Sequence, residues 1–180
     1  GNAFVCKPHP NGAALTNLLA EACAEAGLPP GLFGVVHGGA DAGRALVADP
    51  RVALVSFTGS GAVGESITRE IGLKRSVMEL GGNAPTIVHA DANLAAAVPL
   101  CAEAAFGLGG QSCVSTQRIY AHRSIAGALT EALAADARGR RLGDPMDPAT
   151  DLAPLISEAA AGRIERWISE ALAQGARLAC

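Results

Sequence analysis

The sequence has 180 residues, of which 49% are hydrophobic and 17% charged, a composition typical of a globular protein with enough apolar side chains for a core. A net charge of -3 and an aromatic content of 3% exclude the basic, base-stacking surface of a nucleic-acid-binding protein and favour no anionic membrane surface. The given sequence shows no basic-plus-apolar signal at its start, so we do not expect secretion. The most apolar run, 94–110, is interrupted by Pro99 and Glu103, so we do not expect a membrane-spanning segment.

The cysteines predict a reduced protein without a metal site. They are odd in number and widely spaced, with no CxxC pair and no histidine cluster that could hold zinc: Cys6, Cys23, Cys101, Cys113 and Cys180. Disulfides persist in oxidising compartments and are rare in the cytosol. We therefore expect free thiols and a cytoplasmic protein.

Strand-like and helix-like segments alternate along the first half of the chain. Short apolar runs at 3–6, 33–37 and 52–57 are each followed within two residues by proline or glycine, which is typical of strands. Between them, apolar residues recur at three- and four-residue spacing over 13–26, which predicts an amphipathic helix, and a shorter helix is predicted at 42–48. This alternation predicts an α/β fold with a parallel sheet.

A glycine-rich segment follows the third predicted strand. Gly59-Ser60-Gly61-Ala62-Val63-Gly64 has G-x-G-x-x-G spacing and precedes a predicted helix at 65–71. Glycines at such a turn let backbone N–H groups approach a diphosphate, and the helix N-terminus contributes about half a positive charge. The segment indicates a dinucleotide site, although a plain strand-to-helix turn would use the same glycines.

The second half repeats the alternation and contains a cysteine on a glycine-rich turn. Asp91 is predicted to cap a largely buried, alanine-rich helix, and the glycine-rich segment 107–110 then leads to Cys113. Loops on rigid scaffolds carry many catalytic residues, which makes Cys113 a candidate. Strands are predicted at 86–89 and 118–122, helices at 94–106, 124–137 and 157–173, and a loop at 143–154.

Glu79 is the second chemically distinctive residue. It stands beside Gly81-Gly82, where an apolar segment breaks, so we expect it, like Cys113, to project from irregular backbone. It also follows the glycine-rich segment by about 20 residues, where dinucleotide-binding folds have an acidic residue that binds a ribose hydroxyl. The residues alone leave two roles open for Glu79, cofactor binding and general base catalysis.

Six motifs together resemble the aldehyde dehydrogenase superfamily of NAD(P)-dependent enzymes, and they extend over the whole chain. The motifs are Gly1-Asn2 with Lys7-Pro8, Ala26-Gly27-Leu28-Pro29, Phe57-Thr58-Gly59-Ser60, Glu79-Leu80-Gly81-Gly82, Gly110-Gln111-Ser112-Cys113 and Gly143-Asp144-Pro145. Their order agrees with the family pattern, as does the separation of thirty-four residues between Glu79 and Cys113.

This resemblance implies oxidation of a small-molecule aldehyde to a carboxylic acid. It makes Cys113 the nucleophile that forms a thiohemiacetal and then a thioester, with its own N–H as one oxyanion donor. It makes Glu79 the base that activates the hydrolytic water, which favours water over coenzyme A as the acyl acceptor. These residues leave the identity of the aldehyde open.

The resemblance also implies NAD or NADP as the cofactor. It places the Lys7 ammonium near the adenosine ribose, Gly59 and Ser60 at the diphosphate, and Leu80 in the same cofactor site. Many NAD-preferring members have a glutamate three residues after the lysine, where its carboxylate would repel a 2'-phosphate. Pro10 stands at that position here, so we expect NADP to be tolerated.

The expected architecture is doubly wound: a Rossmann-like parallel sheet with helices on both faces leads into a second α/β domain. Residues 1–80 would be the later part of the NAD(P)-binding domain and 81–180 the first part of the catalytic domain, both ends looking cut. The family's remaining site groups would lie outside the chain, so we expect it to be inactive alone and its full-length parent to be a homodimer or homotetramer. The alternatives are a non-catalytic dinucleotide-binding or structural module, with Cys113 an ordinary thiol, and a thiol hydrolase that pairs Cys113 with His89 or His122.

Overall fold

Parallel strand pairs connected by helices make up the protein in a computed structural model that describes residues 1–180. The chain divides into two compact units, Gly1–Leu80 and Gly81–Cys180. The predicted α/β fold with parallel strands is confirmed, while the roles of the two units as cofactor and catalytic domains stay predictions. No helix in the protein combines the length and the hydropathy that a membrane crossing requires.

The first unit contains four strands in two parallel pairs. β1 pairs with β2 and β3 pairs with β4, and each connection within a pair contains a helix, as parallel pairing requires. In chain order the elements are β1 (Phe4–Cys6), α1 (Ala13–Glu25), β2 (Phe33–Val35), α2 (Ala40–Ala48), β3 (Leu54–Gly59), α3 (Gly61–Glu70) and β4 (Arg75–Leu80).

The core of this unit lies where α2, α3 and β3 meet. Val47 of α2, Val55 of β3 and Ile71 at the end of α3 are buried together, and Val52 and Ile67 pack against them. Because α3 and β3 contribute to one apolar cluster, the turn that joins them at Ser60 is held on both sides.

α1 begins and ends close to its predicted limits, but its apolar face is not buried. The predicted helix is present, but Leu15, Leu18 and Leu19 are 73%, 61% and 55% exposed, so its apolar side chains are not covered within this chain. The neighbouring strands β1 and β2 have three residues each, and so small a sheet cannot cover a helix of 13 residues.

β4 is a strand that the sequence analysis does not predict. It pairs in register with β3 from Leu54 opposite Arg75 to Gly59 opposite Leu80. Glu79 is therefore the penultimate residue of a regular strand, and the expectation that it projects from irregular backbone is wrong. Charged residues at both ends of the strand and a single half-buried face conceal the strand pattern in the sequence.

The second unit is built on one parallel pair, β5 with β6. Its core contains Val88 of β5, Cys101 of α4 and Leu129 of α5. In chain order the elements are β5 (Ala84–Val88), α4 (Leu94–Phe106), a 3-10 turn (Gly107–Gly110), β6 (Thr116–Ala121), α5 (Ala126–Gly139) and α6 (Glu158–Ala173).

Two expectations about α4 are wrong, although its limits are as predicted. Its N-cap is Asn93, whose Oδ1 accepts the Ala95 N–H at 3.1 Å, because Asp91 lies too early and is 2.9 Å from the His89 Nδ1 instead. Only Cys101 and Ala102 of this helix are buried, so it is not a largely buried helix.

Candidate active site

Cys113 lies on irregular, exposed backbone between α4 and β6, as predicted. The chain reaches it through three successive left-handed residues, Leu108, Gly109 and Gly110, with φ of 53°, 64° and 73°. Glycine adopts this conformation at little cost, whereas Leu108 is the one non-glycine residue of the chain with positive φ. The glycines therefore permit the sharp change of direction that presents the thiol at the surface.

Two glutamines hold the carbonyl groups of this left-handed turn. The Gln111 Nε2 donates to the Leu108 carbonyl at 2.8 Å, and the Gln117 Nε2 donates to the Gly110 carbonyl at 3.2 Å. The Oε1 of Gln111 accepts the Ile156 N–H at 3.2 Å, which ties the turn to the segment before α6. Sequence reasoning missed both glutamines as positioning groups, because an isolated glutamine carries no local signal of its long-range partner.

The backbone around Cys113 leaves an N–H group available. Ser112 accepts from its neighbours, through its Oγ from the Val114 N–H at 3.5 Å and through its carbonyl from the Ser115 N–H at 3.1 Å. The N–H of Cys113 itself makes no hydrogen bond within the chain. An unpaired N–H beside an exposed thiol can donate to the oxyanion that forms when that thiol adds to a carbonyl group.

Glu79 is exposed near the end of β4, opposite Thr58 of β3. Its carboxylate forms no salt bridge within the chain, so both oxygens can accept hydrogen bonds from a ligand or from water. Glu79 belongs to the first unit and Cys113 to the second.

Leu80 packs against the third glycine of the G-x-G-x-x-G segment. A β-carbon at Gly64, which is buried in the first turns of α3, would lie 3.0 Å from Leu80 Cδ1 and 3.4 Å from its Cγ. Close helix-to-strand packing is the role that the third glycine has in dinucleotide-binding folds. This contact fixes the end of β4, while the cofactor role of Leu80 stays a prediction.

Ser60 alone separates β3 from α3, because Gly59 ends the strand and Gly61 begins the helix. The helix thus starts four residues earlier than predicted. The Ser60 Oγ accepts the Val63 N–H at 3.4 Å as the N-cap, while the N–H groups of Gly61 and Ala62 have no partner within the helix. Free N–H groups and the positive end of a helix dipole suit a diphosphate.

Lys7 is half-buried beside the carboxyl ends of β1 and β2 and is not a freely solvated lysine. Its Nζ donates to the carbonyls of Pro8 at 2.8 Å and Gly38 at 3.3 Å. An ammonium group has three donors, so one N–H remains for a further acceptor. Ligands of parallel α/β folds bind at this end of the strands.

Pro10 is exposed and begins a 3-10 turn, Pro10–Gly12, that follows Lys7. The turn is capped by His9, whose Nδ1 accepts the Asn11 N–H at 3.2 Å. Neither residue adds a carboxylate near the lysine. The structure thus has no negative side chain in this turn that would oppose a phosphate group.

The strongest electrostatic perturbation lies away from these residues, at the end of α2. Hydrogen bonds from Arg51 to both carboxylate oxygens, at 2.9 and 2.6 Å, hold the pKa of Asp49 well below its usual range. Lys74 Nζ also donates to the Asp49 carbonyl at 2.8 Å. The cluster closes the corner between α2 and β3 and has a structural role.

His89 and His122 follow β5 and β6, at the strand ends where they were predicted, with ring centroids 5.6 Å apart. The His89 Nδ1 is 2.9 Å from Asp91, and the His122 Nδ1 is 2.8 Å from the Ser124 hydroxyl. In each ring, one nitrogen is therefore engaged by a neighbour two residues away. No group of three histidine, cysteine or acidic residues is placed to hold a metal ion.

Comparison with known protein families gives a match along the whole chain. The model of the aldehyde dehydrogenase family matches residues 1–180. Aspartate-semialdehyde dehydrogenase 1 of Pseudomonas canavaninivorans is 43% identical over 180 residues, which are 100% of this chain and 38% of that protein. The chain thus spans about 38% of the length of this curated relative.

Solved structures with the same fold include complexes with either dinucleotide. An aldehyde dehydrogenase of Mycobacterium tuberculosis, complexed with NAD+, has a TM-score of 0.95 and 39% identity over 99% of this chain and 37% of its own. The glyceraldehyde-3-phosphate dehydrogenase GapN of Methanocaldococcus jannaschii DSM 2661, complexed with NADP, has a TM-score of 0.92 and 34% identity over 97% of this chain and 40% of its own.

Proposed function

This chain belongs to the aldehyde dehydrogenase family, and from that premise we propose that the protein oxidises a small aldehyde to a carboxylic acid with NAD or NADP. The observation that carries the proposal is Cys113, an exposed thiol on a turn that hydrogen bonds hold in place, beside its own unpaired N–H. Of the other thiols, Cys101 is buried and Cys6 and Cys23 are half-buried.

We propose Cys113 as the nucleophile. Its Sγ, as the thiolate, adds to the aldehyde carbon, and the oxygen that becomes negative accepts a hydrogen bond from the Cys113 N–H. The adduct is a thiohemiacetal in its oxyanion form. As that oxygen re-forms the carbonyl double bond, the same carbon gives up hydride, which the dinucleotide would accept when bound, and a thioester remains on Sγ. The two glutamine contacts of the preceding turn support this role, because they limit the movement of the backbone that carries the thiol.

Glu79 is proposed as the base of the second half-reaction. Water adds to the thioester carbon while its proton passes to the Glu79 carboxylate, the C–S bond breaks, and the thiolate of Cys113 leaves with the carboxylic acid as product. A carboxylate that is exposed and unpaired within the chain supports this role. The rival role, binding of a ribose hydroxyl, would not require a proton acceptor.

The residues of the first unit fit a dinucleotide. Lys7 retains one ammonium donor for a ribose hydroxyl. The N-terminus of α3, which follows Gly59 and Ser60, offers the free N–H groups of Gly61 and Ala62 to a diphosphate. When bound, the dinucleotide supplies the hydride acceptor. Pro10 places no carboxylate near Lys7, which supports tolerance of a 2'-phosphate, and the similar structures named above hold NAD+ in one case and NADP in the other.

We infer the assembly and the location of the whole protein from its family and from its cysteines. The whole protein would act in the cytoplasm, where its thiols stay reduced, as a homodimer or homotetramer. Its substrate would be a small aldehyde.

The rate at which iodoacetamide labels Cys113 tests the proposal, measured by mass spectrometry at neutral pH with and without each dinucleotide. Cys180, the other exposed thiol, serves as the internal reference. We expect labelling of Cys113 to be faster than that of Cys180 and to change when NAD or NADP is added. Labelling of both thiols at one rate, indifferent to either dinucleotide, would support the alternative of a non-catalytic module.

The role of Glu79 is tested by trapping the acyl group. In protein that turns over an aldehyde, Glu79→Gln should leave the thioester on Cys113 as a stable mass increase, because the water is no longer deprotonated. Glu70→Gln, at an exposed glutamate in the same unit, is the control and should release the acyl group normally. Rapid release from both variants would assign the base to another residue.

A further inference from the structure

The backbone of Gly82 lies directly against the backbone of Cys113. A β-carbon at position 82 would overlap the carbonyl oxygen of Cys113 and lie 3.2 Å from its carbonyl carbon. The φ of Gly82 is not in the left-handed region, so the neighbouring peptide, and not the backbone conformation, excludes a side chain there. We propose that Gly82 is a positioning residue that sets the main chain of Cys113, and this inference rests on Cys113 being the nucleophile.

The adjacent glycine provides a contrast. A β-carbon at Gly81 would meet no atom within 4 Å, and its φ is also outside the left-handed region. The two glycines that follow Leu80 therefore differ in kind. Gly82 is required by a close approach, while Gly81 has no such requirement within this chain.

Gly82 cannot easily withdraw from this contact, because the segment after it is fixed. The Arg118 Nη2 donates to the Asn83 carbonyl at 2.7 Å, and Ala84 begins the parallel ladder opposite Thr116. A side chain at position 82 would consequently displace the Cys113 peptide and leave the 82–84 segment in place.

Displacement of this peptide would disturb the proposed chemistry. The carbonyl oxygen of Cys113 would have to move by about 1 Å to reach an ordinary contact distance, and it is joined through one carbon to the Cα that bears the thiol. Such a movement rotates the Cβ–Sγ bond and the Cys113 N–H relative to the turn. A misplacement of about 1 Å can cost about 100-fold in rate where reacting groups must be aligned.

Alkylation of the chain without a dinucleotide tests the inference in Gly82→Ala and Gly81→Ala. The readout is the ratio of the labelling rates of Cys113 and Cys180, followed across pH, while circular dichroism verifies folding. We expect Gly82→Ala to lower the ratio at least about fivefold with a displaced pH profile, and Gly81→Ala to leave it within about twofold. Equal ratios in the two folded variants would overturn the inference.

A second variant keeps the test decisive if Gly82→Ala does not fold. Arg118→Met removes the donor to Asn83 and keeps Gly82, so we expect the ratio to fall about twofold to fivefold as the segment loosens. An unchanged ratio in this variant would also count against the inference. The effect of a dinucleotide on the unsubstituted chain tests the proposed function separately, so failure of one is distinguishable from failure of the other.

Discussion

Substitution of Gly64 by alanine tests whether the glycine-rich segment is shaped by packing. Gly64 is the fourth residue of α3, and an added methyl group would lie 3.0 Å from Leu80 Cδ1 and 3.4 Å from Cγ. The closest atom would be the other methyl carbon, Cδ2, at 2.6 Å, so the leucine side chain must shift or change rotamer to make room. This leucine directly follows Glu79 in β4.

The expected free-energy change has two opposing parts. Alanine is better than glycine within a helix by about 1 kcal/mol. Insertion of a methyl group into occupied space costs about 1–3 kcal/mol. Gly64→Ala should therefore lower the free energy of unfolding by about 0–2 kcal/mol. Gly61→Ala, in the same helix with no atom within 4 Å, should raise it by about 0.4–1 kcal/mol.

Urea unfolding followed by circular dichroism measures both variants. The difference between their unfolding free energies removes most of the glycine-to-alanine propensity effect and isolates the packing cost of about 1–3 kcal/mol. Adding Leu80→Ala to Gly64→Ala should relieve the overlap, which appears as a favourable coupling in the double-mutant cycle. A midpoint for Gly64→Ala equal to or above that of Gly61→Ala would refute the packing argument.

Two further predictions concern side-chain clusters that support the units. The Arg140 side chain is 16% exposed, donates from Nε to Asp136 at 2.7 Å and stacks over the Phe106 ring at 4.9 Å from its centroid. Arg140→Met should therefore lower the free energy of unfolding, measured in urea, by about 1–3 kcal/mol. An unchanged midpoint would show that the guanidinium group contributes nothing. Because Arg51 lowers the pKa of Asp49, Asp49→Asn should reduce stability near pH 6, and the deficit should shrink below about pH 3.9 as the native carboxylate loses its advantage. A deficit that is constant down to pH 2 would contradict this origin.

The limits of α4 could be predicted because both ends have local signals. The proposed range 94–106 coincides with the observed helix, although its cap is Asn93 and not Asp91, and Gly107 ends it. β4 had no such signal. Its apolar residues are few and mostly half-buried, and it is a strand because it pairs with β3 along its whole length. Pairing between distant segments is not encoded in a local pattern.

The candidate site divides in the same way. Cys113 and Glu79 could be singled out from the sequence because a thiol and a carboxylate are chemically reactive groups and because each residue has glycines nearby. The contacts that position them could not, since Gln111 reaches the Ile156 N–H 45 residues away, and Gly82 meets Cys113 through backbone atoms. Such contacts depend on the packing of whole elements, which no local window contains.

Glycine has a common physical effect at the two proposed catalytic positions. The strand that carries Glu79 ends at Leu80, which is packed on Gly64, and the peptide of Cys113 is packed on Gly82. In both cases a missing side chain allows close packing of a neighbour, while Glu79 and Cys113 stay exposed. Each unit therefore holds the residue that we propose as catalytic through backbone and leucine contacts, which leave the Glu79 carboxylate or the Cys113 thiol free. Because the main chain of Cys113 is positioned by Gly82, substitution of this glycine should alter the reactivity of the thiol, although glycine itself has no reactive group.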